Sequence, residues 1–151
     1  MKLRTLASSA LCLGLLHPFV LPAAAAAATD SNTTAEPHIW MAVGDRRFAV
    51  ALADNEAARA FVARLPLTLD MPDLNGNEKH IKLPKPLPVN ATRPGTIRNG
   101  DIMLWGSDTL VVFYLTFDSP YSYTRVARVK DPAGLAQALG PREARVLFSK
   151  D

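Results

Sequence analysis

The chain has 151 residues, 48% hydrophobic and 21% charged, a composition that fits one folded domain and excludes general disorder. Lys and Arg number 17 against 14 Asp and Glu, and Lys2 and Arg4 are the only charges within residues 1–28. Without that segment 15 bases face 14 acids, a net +1 with no clustered basic face, so nucleic acid is not an expected partner.

The first 28 residues follow the order of a secretory signal: the basic start Met1-Lys2-Leu3-Arg4, an apolar run from Leu6 to Leu21, and the small residues Ala23 to Ala28. Ser8, Ser9, His17 and Pro18 interrupt the apolar run, which falls short of the ~20 continuous apolar residues of a membrane-spanning helix. Leu11 before Cys12 argues against lipid attachment. The expectation is a signal peptide over 1–28 cleaved after Ala26 or Ala28, a flexible leader over 29–37, and a domain over 38–151. The protein would then be periplasmic or secreted, with no membrane anchor after cleavage. Cys12 is the only cysteine, so the mature chain would carry no thiol and no disulfide.

Ile39 to Val43 and Arg47 to Leu52 are two strand-like runs around Gly44-Asp45-Arg46, a hairpin pattern. Asp54 or Asn55 then supplies an N-cap, and Ala57, Phe61 and Leu65 recur at helical spacing until Leu65-Pro66 ends the helix. Leu67 to Met71 alternates as a strand, and Asn75-Gly76-Asn77 is a turn. Pro84, Pro86, Pro88 and Pro94 make Leu83 to Thr96 an extended surface crossing rather than a central strand.

Ile102 to Trp105 and Thr109 to Phe117 flank a turn at Gly106-Ser107-Asp108. The second of these runs is apolar on both alternating faces, the pattern of a strand covered on both sides. Thr124 to Val129 is a half-polar strand, Asp131-Pro132 opens a helix over Ala133 to Leu139 that stops at Gly140, and Arg145 to Phe148 closes the chain. About eight short strands, two helices and no regular βαβ alternation predict a mainly β fold. Its expected form is a closed or nearly closed antiparallel barrel capped by the helices, with Phe48, Phe61, Leu104, Val112, Val126 and Phe148 in the core.

The order of elements resembles the cyclophilin family. The N-terminal hairpin with Asp54 to Phe61, the pair Gly100 to Leu104 and Val112 to Thr116, and the run Val126 to Leu139 carry the resemblance. Leu74 to Lys79 and Tyr121 to Arg125 are similar to stretches of small bacterial cyclophilin-like domains. The resemblance implies a cyclophilin-like barrel and, in the prolyl isomerases of the family, an arginine in a Phe-His-Arg context on the strand after the first helix. Leu67 to Leu83 contains no arginine, only Lys79 and Lys82. The family's glutamine ahead of its Phe-Phe pair is replaced by Val111 or Val112; Phe113 matches the second Phe, and Trp105 stands where a small residue is usual.

Arg125, following Tyr121 and Tyr123, fits a carboxylate- or carbonyl-binding anchor with apolar walls, and equally an exposed strand arginine paired with an acid across the sheet. Trp105 and Phe113 fit one groove, though aromatic core positions are the commoner use of such residues. Glu78, with Asn75 and Lys79, lies on the polar loop shared with the bacterial domains. His38 and His80 have no ligand-spaced partner, and neither a Gly-x-Ser-x-Gly elbow nor a Gly-rich phosphate loop occurs, so no metal, cofactor or catalytic residue is implied. The expected function is binding of a peptide or small anionic ligand through Arg125, Tyr123, Tyr121, Phe113, Trp105 and Glu78 by a monomer. Prolyl isomerisation in the cell envelope is the alternative, and partner recognition through the proline-rich crossing a third.

Overall fold

The computed structural model describes residues 38–151; the expected signal peptide over 1–28 and leader over 29–37 lie outside the described residues. Strands β1 (His38–Val43) and β2 (Arg46–Leu52) form the expected hairpin, with Gly44 at positive φ in the two-residue turn. Helix α1 (Glu56–Val62) starts at Asn55, whose side chain accepts the Ala58 N–H at 2.8 Å and donates to the Arg125 carbonyl at 2.8 Å. It buries Ala57, Ala58 and Phe61. It stops before Leu65: Arg64 and Leu65 make tighter bonds to the carbonyls three residues back. Arg64 is thereby freed to bind the crossing that follows.

β3 (Leu67–Met71), β4 (Asp73–Leu74) and β5 (Glu78–Lys82) come next, with an Asn75-Gly76 turn in which both residues have positive φ. The crossing at Leu83–Thr96 is pinned on both sides. Leu83 and Leu87 are buried and donate to the Asp108 and Ser107 carbonyls, and the Arg64 guanidinium donates to the Lys85 and Pro86 carbonyls at 2.7 and 2.6 Å.

β6 (Gly95–Ile97), β7 (Asp101–Trp105), β8 (Thr109–Phe113), β9 (Phe117–Ser119), β10 (Thr124–Val129), α2 (Leu135–Leu139) and β11 (Ala144–Ser149) complete the chain. β8 is shorter than the apolar run, which extends to Phe117. Tyr114 leaves the ladder to donate to Asp73, and Thr116 accepts the Asn99 N–H, so the chain turns and β9 pairs with β6 instead. Helix α2 starts two residues later than Ala133. Asp131 caps the Ala133 N–H, and a left-handed Gly134 intervenes where a Cβ would lie 2.6 Å from an Arg46 guanidinium nitrogen.

Nine strands form one antiparallel sheet in the order β3-β11-β1-β2-β10-β7-β8-β5-β4, with β6-β9 as a separate ribbon. The two edge strands, β3 and β4, are consecutive in the chain around Pro72, whose carbonyl accepts the His80 N–H. The sheet therefore curls into a nearly closed barrel. All six expected core residues are buried inside it. β8 is covered on both faces: Leu110 and Val112 point into the barrel, while Val111 and Phe113 join Ile97, Met103 and Tyr123 in a second buried cluster on its outside.

Candidate functional site

Strand alternation builds the site. On β5, Lys79 turns into the barrel, so Glu78 and His80 turn out; their partners on β8 are Phe113 and Val111. On β7, Met103 faces Val111, and Trp105 faces Thr109 at the strand end. The segment from Phe117 to Tyr123 folds over this outer wall. Between it and β5 lies a cleft of about 560 Å³, lined by Leu74, Asn75, Asn77, Glu78, His80, Trp105, Thr109, Val111 and residues 117–121 and 123. That volume is in the range of small-molecule and short-peptide sites. From Thr109 to Phe113 the wall runs four strand steps, about 13 Å at ~3.3 Å per residue.

One end is aromatic. Trp105 packs edge-on against Tyr121 and tilted against Tyr123, both at 5.3 Å between centroids, and Tyr123 in turn stands edge-on to Phe113 at 5.5 Å. Trp105 is 43% and Tyr121 57% exposed, so two large rings flank the opening. The barrel-core position considered for Trp105 is thus corrected: it is the last residue of β7, before the Gly106 turn, where no element covers the indole. Phe113 does take the core position, fully buried against Tyr123 and not itself lining the cleft.

The other end is polar. Asn77 Oδ1 is buried without a hydrogen-bond partner. Burial, and secondarily the Asp73 charge, push the Glu78 carboxyl above its ordinary range. Burial also raises the Tyr123 hydroxyl, with a hydrogen bond to Ser119 partly offsetting it and the Glu78 charge adding to it.

Trp105, Tyr121, Tyr123 and Glu78 are therefore brought together in one cleft, with Phe113 below. Arg125 is not. It sits opposite Met103, and its Nη1 lies 4.0 Å from Asp101 Oδ1, which Arg128 Nε approaches to 3.7 Å. Pairing with an acid of the adjacent strand is the role it takes, and the anion anchor expected from sequence is absent from the cleft. Lys79 is likewise removed: its ammonium is inside the barrel, on Asp73 and two carbonyls. His80, Asn77 and Phe117 were not singled out as cleft residues from sequence. The alternation of Glu-Lys-His-Ile-Lys, once Lys79 is known to be inside, is the signal that places His80 outward. Among the described residues no group of three His, Cys, Asp or Glu side chains is placed to hold a metal ion.

The fold is an antiparallel β-barrel with a cleft on its outer wall. The model of the Cyclophilin-like family matches residues 41–149, and the chain belongs to that family. No curated protein and no solved structure matches the chain.

Proposed function

We propose that this cyclophilin-like domain is an exported peptide-binding module whose cleft holds an extended segment of about five residues. The observation that carries this reading is the elongated cleft itself, with exposed Trp105 and Tyr121 at one end and unpaired polar groups at the other. An extended chain advances ~3.3 Å per residue, so four steps, or five residues, span a wall of about 13 Å. Large rings offer much contact area at little conformational cost, which is why they anchor binding surfaces. Neither Lys nor Arg lines the cleft, so it lacks the guanidinium that the isomerases of the family aim at a prolyl amide.

Titrating ¹⁵N-labelled protein with positional-scanning pools of blocked pentapeptides tests the reading. Shifts are expected in the Trp105 indole N–H and in the amides of Glu78, Val111 and Tyr123, with Trp105→Ala weakening binding at least ~10-fold. Pools that leave those signals unmoved, or shift only signals elsewhere, would overturn it.

Export rests on the basic, apolar and small-residue order of residues 1–28. N-terminal sequencing of protein from the cell-envelope fraction should read a start at Ala27 or Thr29. An intact Met1 start in cytoplasmic protein would sink the export proposal.

A further inference from the structure

The charges around the cleft are one-sided. Glu78 and Asp118 line it, and no lysine or arginine does. The two lysines of β5 that flank Glu78 and His80 are both engaged elsewhere, Lys79 inside the barrel with Asp73 and Lys82 with Asp108 at 3.4 Å. Asp118 accepts a hydrogen bond from Thr96 at 2.8 Å. Glu78 is different: among the described residues it has neither a hydrogen bond nor an ion pair. It is half-buried and faces a cleft whose neighbouring wall residue, Asn77, keeps its Oδ1 buried and unpaired. A partly desolvated carboxylate facing a cleft with no lysine or arginine among its lining residues is an unfavourable arrangement that a bound cation relieves.

Resting on the peptide-binding reading above, we infer that Glu78 selects a Lys or Arg side chain of the bound segment. That basic residue occupies the Glu78–Asn77 end, and an apolar residue four positions away lies against Trp105 and Tyr121. The register fixes the separation: Glu78 pairs with Phe113 and Trp105 with Thr109, four steps along β8. Arg suits the site further, because its guanidinium can donate two parallel hydrogen bonds to the Glu78 carboxylate.

The same pentapeptide pools give the test, with each position fixed in turn as Lys, Arg, Gln, Glu or Leu. At one position the Lys and Arg pools should bind about tenfold more tightly than the Gln pool. Glu78→Gln should erase that preference, bringing the Lys, Arg and Gln pools to similar affinity. Glu78→Lys should turn the preference toward the Glu pool, with an unchanged thermal midpoint confirming the fold of both variants. Cleft binding without a preference for Lys or Arg, or a preference that survives in Glu78→Gln, overturns the inference and leaves the peptide reading standing. Failure of every pool to shift the cleft signals overturns both.

Discussion

Phe148→Ala should cost about 3–5 kcal/mol, a large part of the ~5–15 kcal/mol that holds a domain of this size folded. Phe148 is fully buried on β11, between Met41 of β1 and Leu67 of β3 in the ladder, and its ring meets Phe61 edge-on at 5.2 Å. Truncation removes the transfer energy of the ring and leaves a cavity where three strands and α1 converge. It also deletes an aromatic pair worth about 0.5–1.5 kcal/mol beyond area burial. Phe61→Ala should be comparably severe. The double variant should be less destabilised than the sum, because both substitutions open the same space. Urea unfolding at constant slope measures all three. A loss under ~1 kcal/mol for Phe148→Ala would contradict the packing of α1 on β11.

The barrel core was legible from the sequence because burial on one face of each strand leaves a period-2 trace, and Phe48, Leu104, Val112, Val126 and Phe148 all fall on it. Helix α1 was legible through Asn55 and the four-residue apolar spacing. The ends of elements were not. β8 stops at Phe113 although the apolar run continues to Phe117, since Tyr114 is drawn to a carboxylate 41 positions away. Local pattern carries no trace of such a partner. The cleft was half legible. Aromatic residues on neighbouring strands pointed to Trp105, Tyr121 and Tyr123, and the polar loop pointed to Glu78, but Arg125 does not line the cleft. Arg125 stands in the right stretch of sequence, yet its position opposite Met103 puts it beside Asp101, while Glu78 becomes the charged group at the polar end. Which of several charges reaches a site depends on register between distant strands, and that is a property of the assembled sheet.

The buried cation at the seam of the barrel yields the second large effect. Lys79 is completely buried, and its three donors are all used: Asp73 Oδ1 at 2.7 Å, the Gly140 carbonyl at 2.7 Å and the Arg142 carbonyl at 2.5 Å. Asp73 also accepts from the Tyr114 hydroxyl at 2.5 Å and from the Gly76 N–H at 3.0 Å. These bonds tie the β4–β5 hairpin, the end of β8 and the segment after α2 together where the sheet edges meet without a ladder. Asp73→Asn leaves the ammonium buried without its counter-charge and should cost about 3–5 kcal/mol. Lys79→Met removes the charge and keeps the volume. It strands two carbonyls at about 1–3 kcal/mol each at most, while Asp73 keeps its Tyr114 and Gly76 donors and some access to water. The two single losses are thus of similar size, and the double variant should lie close to Lys79→Met alone, because Asp73→Asn then strands no charge. The hydrogen bonds from Lys79 and then Tyr114 hold the Asp73 carboxyl below its ordinary range. That contribution is fully present above the unfolded carboxyl value, ~3.9, and is lost as pH falls through the lower folded value. Burial, and then the Asp73 hydrogen bond, raise Tyr114 to about 12, so its contribution is lost only as pH climbs from ~10 toward that value. Chemical unfolding across pH should accordingly show an acid limb that flattens in Asp73→Asn. A double variant destabilised by the full sum of the two single losses would refute the account of the seam as a buried, counter-charged ammonium.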